Sequence, residues 1–282
     1  MKKIFYIGSL KISFTTDFEL SLQEFDKCFL QQVLPTTKQI DVQINQTDFQ
    51  IEAAKCIYHG KGLKVYKEEN KEIRVYNKKN ERGIVSVYDG GSNVHIYMPD
   101  MGEEYMKKLR PWFQIHLEEL LLYNQAMILH SASLEYNGNA ILFSGPSGTG
   151  KTTQTDLWHR YKDNVTDING DRTVLQLLEG KWYACGFPIY GSTVRCKQKA
   201  VPLRAIVYLK QGKNNEIREL AKREKIVFLY KELNVLSFDN DFVNRTFELL
   251  DGLVEGVTII QLTCRIDQDA VEVLHEYLYK GV

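Results

Sequence analysis

The chain has 282 residues, 44% of them hydrophobic and 26% charged, as in an ordinary soluble globular protein, and no apolar run reaches the length of a membrane span. Lys+Arg and Asp+Glu number 36 each, so there is neither the basic surplus of a nucleic-acid binder nor an acidic tail. The five scattered cysteines (Cys28, Cys56, Cys185, Cys196, Cys264) form no C-x-x-C pair, which suits a reducing cytoplasm and argues against a disulfide framework or a zinc site.

Residues 1–101 read as β-rich. Met1-Lys2-Lys3 followed by Ile4-Phe5-Tyr6-Ile7 has the opening order of a signal peptide, but Gly8-Ser9 and Lys11 cut the apolar run short, and it reads as a first strand. A short helix is predicted over residues 22–34, ended by Pro35. Residues 63–66 and 73–76 flank one polar turn, and residues 84–88 and 94–98 flank Asp89-Gly90-Gly91-Ser92-Asn93, so two hairpins are expected. The strand tyrosines Tyr66, Tyr76, Tyr88 and Tyr97 read as half-buried sheet surface and not as a stacking platform for nucleic acid.

Residues 102–125 read as a linking helix. Tyr105, Leu109, Trp112, Leu120 and Tyr123 recur at helical spacing, with a break expected near Arg110 because Pro111 follows it. His116 falls near the apolar stripe and is expected to be packed, not ligating.

Residues 126–282 change to α/β texture. Strands are expected over residues 127–135 and 140–143, with Asn137-Gly138-Asn139 as the turn between them. Further strands are expected within residues 165–178, 182–187, 203–209 and 257–262. Residues 214–230 mix polar residues at helical spacing, and amphipathic helices are expected over residues 242–253 and 267–279.

The most informative stretch is residues 142–153, L-F-S-G-P-S-G-T-G-K-T-T. Gly145, Gly150, Lys151 and Thr152 fit the phosphate-loop pattern G-x-x-x-x-G-K-[ST], with Pro146, Ser147, Gly148 and Thr149 inside it and Thr153 after it. Glycines let successive N–H groups converge into an anion nest, and a helix starting near Lys151 adds its positive end. Lys151 would reach the β- and γ-phosphates of ATP, and the Thr152 hydroxyl would ligate Mg²⁺. A glycine turn without a ligand is the plain alternative. His130 lies one hairpin before the loop. Asp171 follows it by a helix and a strand, where a phosphate-loop enzyme keeps an acid for Mg²⁺ or for the attacking hydroxyl.

Leu129-His130-Ser131-Ala132, the loop at residues 145–153, and Asn169-Gly170-Asp171 together resemble the catalytic domain of HPr kinase/phosphorylase. Residues 186–192, 202–207 and 262–267 look like a divergent branch of HPr-kinase-related proteins. Some of that branch are encoded with peptide-maturation systems and phosphorylate a serine of a precursor peptide. The resemblance covers residues 126–282. It implies an α/β, phosphoenolpyruvate-carboxykinase-like P-loop core behind a β-rich N-terminal extension.

By the resemblance, residues 145–153 hold the triphosphate, His130 lies beside the transferred phosphate, and Asp171 ligates metal or accepts the hydroxyl proton. The family's first paired aspartate is Gly170 here, with Asp167 as a nearby carboxylate. The arginine-glycine-rich segment that makes the family's oligomer contact and part of its protein-substrate site is replaced by residues 186–192, a substrate loop or simply a turn. A homo-oligomer is allowed by the resemblance, but HPr itself is a doubtful acceptor. Arg195, Lys197 and Arg204 form a small basic run that could meet phosphates or solvent, and Arg265 could pair with Asp267.

Two functions follow as expectations. The first is a cytoplasmic ATP-dependent kinase acting on a hydroxyl of a peptide, a protein or a small molecule, with no nucleic-acid or membrane partner. The second is a nucleotide-binding regulatory or scaffold protein with reduced catalysis, suggested by Gly170.

Overall fold

Alternating side chains put Phe5 and Ile7, Ile12 and Phe14, Ile40, Val42 and Ile44, and Val94 and Ile96 out of water, as a one-sided sheet requires. The computed structural model describes residues 1–20, 24–51, 54–60, 62–76, 83–99, 110–188 and 195–280. It divides into two units, Met1–Asn124 and Gln125–Val282.

The first unit is an eight-stranded sheet of β1 (Lys2–Ile7), β2 (Leu10–Thr15), β3 (Lys38–Asn45), β4 (Lys55–Gly60), β5 (Leu63–Glu68), β6 (Lys71–Tyr76), β7 (Ile84–Tyr88) and β8 (Asn93–Tyr97). Its order is β1-β2-β3-β8-β7-β6-β5-β4, parallel at β2/β3 and β3/β8. Phe5, Phe14 and Trp112 close one face in edge-to-face contacts of 4.3 to 5.6 Å.

Two helical expectations change. Within residues 22–34 the chain forms a 3-10 turn, Glu24–Leu30. The linking helix is not continuous: Pro111–Gln114 is another 3-10 turn, and His116 adopts a left-handed conformation (φ 56°, ψ 39°) before the short helix α1 (Leu117–Leu122). Pro111 has no N–H to continue a helix, and a left-handed residue breaks the run of i−4 bonds. The earlier part of that expected helix, residues 102–109, lies outside the described residues.

The second unit contains β9 (Ala126–Tyr136), β10 (Asn139–Ser144), α2 (Lys151–Tyr161), β11 (Val165–Asn169), β12 (Arg172–Leu178), β13 (Lys181–Cys185), β14 (Ala200–Gln211), β15 (Glu216–Glu219), α3 (Lys222–Glu232), α4 (Asn240–Gly256), β16 (Thr258–Cys264) and α5 (Gln268–Tyr279). The 214–230 stretch is therefore a strand plus a helix. Ile217 pairs with Leu262 at the sheet edge, and four mostly exposed residues are too few for a period of two to stand out from the helical pattern.

Strand β9 changes partners along its length. Its first half pairs with β12, and its second half lies between β10 and β11. Strand β14 likewise passes from β13 to β10, which it meets in parallel, so the pairings β9-β12-β13-β14-β10 close on themselves. Ala205, Val207 and Leu209 face α2 and α5 in a core that includes Phe143, Leu157, Trp158, Leu262 and Leu274. On the opposite side Tyr208 meets Phe228 of α3 at 4.3 Å. Trp158 is fully buried against Tyr136, and truncating such a side chain costs on the order of 3–5 kcal/mol. Asp239 and Asp267 cap α4 and α5, each accepting a backbone N–H at 3.0 to 3.1 Å. Among the described residues no helix is long and apolar enough to cross a membrane.

Candidate functional site

Asn137 and Gly138, at φ 47° and 75°, make the two-residue turn that folds β10 back on β9. That register pairs Ser144 with Ser131, so His130 is the first β9 residue beyond the end of β10. The Ser144 hydroxyl donates to the His130 carbonyl at 2.7 Å.

The chain then leaves the sheet through the glycine loop. Gly145 has φ 144°, and a Cβ there would lie 3.3 Å from the Leu209 carbonyl oxygen. Gly148 and Gly150 are at φ 84° and 100°, and Gly150 is the N-cap of α2 with no side-chain cap. A helix start leaves its first N–H groups without i−4 acceptors, here directed from a largely exposed loop. The Thr149 hydroxyl donates to the Pro146 carbonyl at 2.8 Å, and Gln211 Nε2 to that of Gly148 at 3.0 Å. Lys151 Nζ donates to the carbonyls of Gly145 (2.7 Å) and Pro146 (3.3 Å). Burial pushes its ammonium below the ordinary range, opposed by the negative charges of Glu232 and Asp171.

Asp171 is presented by a turn fixed by Asn169. The buried Asn169 accepts the N–H groups of Asp171 and Arg172 on Oδ1, each at 2.9 Å, and donates from Nδ2 to the Phe187 carbonyl. Behind it Ser131, Thr173 and Ser133 form a chain of buried hydroxyls with spacings of 3.0 and 2.8 Å. Asp171 Oδ1 lies 3.5 Å from His130 Nε2, and Asp171 Oδ2 lies 3.3 Å from Arg172 Nε.

Glu232 comes from the far end of α3. Where β10 departs, Leu233 takes its place beside β9, bridging to Leu129, and Asn234 N donates to the Ile128 carbonyl at 3.1 Å. That pairing sets Glu232 next to His130, with Oε2 at 3.2 Å from Nδ1. Asn234 Oδ1 accepts from Arg172 at 2.7 Å. His130 thus stands between two carboxylates beside the loop.

Other sequence candidates fall elsewhere. Asp167 is 2.9 Å from His159, in the last turn of α2 and about 12 Å along the helix axis from Lys151, so it does not stand in for the carboxylate missing at Gly170. Gly170 instead donates its N–H to the Arg195 carbonyl. Three members of the expected basic side chains already have partners. Arg195 pairs with Asp156 at 2.6 Å, Arg204 bonds the Leu278 carbonyl, and Arg265 pairs with Asp267 at 2.7 Å. Residues 189–194, most of the expected substrate loop, lie outside the described residues.

Sequence reasoning missed Glu232, Asn169, Arg172 and Asn234. Asn169 carried a usable signal, because an asparagine ahead of Gly170-Asp171 favours an Asx turn.

The first unit holds a second histidine between carboxylates. His116 Nδ1 lies 3.2 Å from Glu72 Oε1 and 3.8 Å from Glu119 Oε2, all three residues being buried. One atom from each lies within 4.8 Å of the others, a spacing a metal ion could use. Arg74 nevertheless holds both carboxylates already, at 2.6 and 3.3 Å. Burial works to raise the Glu72 carboxyl, but His116 Nδ1 at 3.2 Å and the Arg74 charge outweigh it and hold the group at about 2.

Among known families, the model described as ScmC, SynChlorMet cassette protein ScmC, matches residues 112–245. That span contains the glycine loop, His130, Asp171 and Glu232. No curated protein matches the chain.

Proposed function

We propose that the second unit is an ATP-dependent kinase with an HPr-kinase-like P-loop core, transferring the γ-phosphate to a hydroxyl. The observation that carries this reading is the meeting of His130 and Asp171, 3.5 Å apart, with His130 following directly on the strand pair that leads into the glycine loop. The donor set suits a triphosphate with Mg²⁺. The loop glycines expose backbone N–H groups at the start of α2, Lys151 supplies an ammonium held over the loop carbonyls, and Thr152 and Asp171 are candidate oxygen ligands. Bound Mg²⁺ supplies charge neutralisation at the phosphates. The N–H groups of residues 147, 148 and 150–153 would hold and orient the phosphates, and Lys151 would draw charge from the γ-phosphate. Asp171, fixed by the Asn169 turn, orients the acceptor hydroxyl and takes its proton.

The resemblance of residues 126–282 to a branch of HPr-kinase-related proteins encoded with peptide-maturation systems suggests the acceptor. A serine-bearing peptide is therefore the first acceptor to try, ahead of small hydroxy compounds.

A second reading, a nucleotide-binding scaffold with reduced catalysis, rests on Gly170, which brings no carboxylate to the site. Both readings meet one experiment, ATP binding and γ-phosphate transfer measured with Mg²⁺ over a panel of serine peptides and hydroxy metabolites. Lys151→Ala should abolish binding, and Asp171→Asn should keep binding but lower transfer about 100-fold or more. Tight binding without ADP formation under any acceptor would favour the scaffold. Equal transfer by wild type and both variants would sink the kinase reading.

A further inference from the structure

His130 faces a carboxylate on each ring nitrogen, and a neutral imidazole has one N–H to give. The two contacts are unequal. Glu232 Oε2 is 3.2 Å from Nδ1, and its side chain is 11% exposed. Asp171 Oδ1 is 3.5 Å from Nε2, and its side chain is 27% exposed. The shorter contact to the drier carboxylate decides where the proton sits, because an acceptor screened from water gains most from a donor. The Asp171 carboxylate meanwhile has Arg172 Nε 3.3 Å from Oδ2, whereas Glu232 sits where α3 ends.

We propose that Glu232 is a positioning residue that holds the His130 proton on Nδ1, so that Nε2 and Asp171 Oδ1 form an acceptor-only notch for the hydroxyl of the phosphate acceptor. This rests on the kinase reading and deepens it by naming what the site takes, a group with a hydrogen to donate. With the proton on Nε2 the ring would donate into Asp171 and occupy the oxygen that the acceptor hydroxyl needs. Glu232 blocks that arrangement without touching the substrate.

Histidine ring ¹⁵N NMR on the nucleotide-free full chain reads the tautomer directly, with His130→Asn assigning the signal. The wild type should show Nδ1–H. Glu232→Ala should convert it to Nε2–H and lower kcat for phosphate transfer about tenfold, leaving the Kd for ATP within about twofold. Glu232→Gln, whose amide oxygen can still accept from Nδ1, should keep the Nδ1–H signature and recover most of the rate. An Nε2–H or doubly protonated wild type would overturn the proposal, and so would Glu232→Ala with tautomer and kcat unchanged. The NMR result needs no turnover. A protein that binds no ATP yet shows the Glu232-dependent tautomer would defeat the kinase reading alone.

Discussion

His116 and His130 are built from nearly the same parts, a histidine beside two carboxylates with an arginine at hand, and they differ in arrangement: both carboxylates approach Nδ1 of His116, whereas His130 has one on each nitrogen. Around His116 the side chains of Arg74 and His116 are at most 3% exposed, and the arginine holds both Glu72 and Glu119. The charges answer one another inside the first unit, and Glu72 and Glu119 also line a cavity of about 380 Å³. Around His130 the ring is 31% exposed, Arg172 reaches only one oxygen of Asp171, and the glycine loop stands alongside. The same residue types make a buried, arginine-held network around His116 and a part-exposed cluster beside a glycine loop around His130.

The sharpest way to break this contrast is Arg74→Ala. It leaves two buried carboxylates facing each other and should cost about 4 kcal/mol, read as urea unfolding of the first unit with Trp112 as the fluorophore in a Trp158→Phe, Trp182→Phe background. A loss under about 1 kcal/mol would show that the network carries little of the fold.

Next is acid. The folded Glu72 carboxyl, at about 2, lies below its ordinary value of 4.5, so the unfolded chain binds more protons between these values. The stabilisation is complete above about pH 5 and is lost as pH falls toward 2, amounting to roughly 3 kcal/mol. Urea titrations at pH 6 and pH 2.5 check it, and Glu72→Gln should flatten the difference.

The smallest stability effect belongs to the open histidine. His130→Ala should change stability by less than about 1 kcal/mol while slowing phosphate transfer about tenfold. Loss of the fold instead would erase the distinction between the two histidines.

What was legible in the sequence was local. Strand β10, the loop and helix α2 follow from an apolar run, three glycines and a lysine within twelve residues, because each residue type answers to its own backbone need. The hairpins β5/β6 and β7/β8 were legible for the same reason. Pairing of His130 with Asp171 could be anticipated from spacing, one hairpin and one helix-plus-strand around the loop. Glu232 could not be, since its position is set by Leu233 taking the lane that β10 vacates, a contact 102 residues away in sequence from His130. Glu119 was hidden differently. A charged residue on an expected helix reads as solvated, and nothing local shows that Arg74, 45 residues earlier, will hold it inside.

The lane beside β9 also sets a timetable. During synthesis the glycine loop, His130 and Asp171 leave the ribosome well before α3, and Arg172 waits 62 residues for Asn234, on the order of 3–12 s of elongation. Closing contacts of such separation is slow compared with forming the hairpin that holds the loop. A half-made second unit would have a formed loop, yet its histidine would still lack the Glu232 partner. Completion of the cluster around His130 is therefore a late event that reports the arrival of α3, and a displaced α3 would remove Glu232 while leaving the β9/β10 hairpin paired.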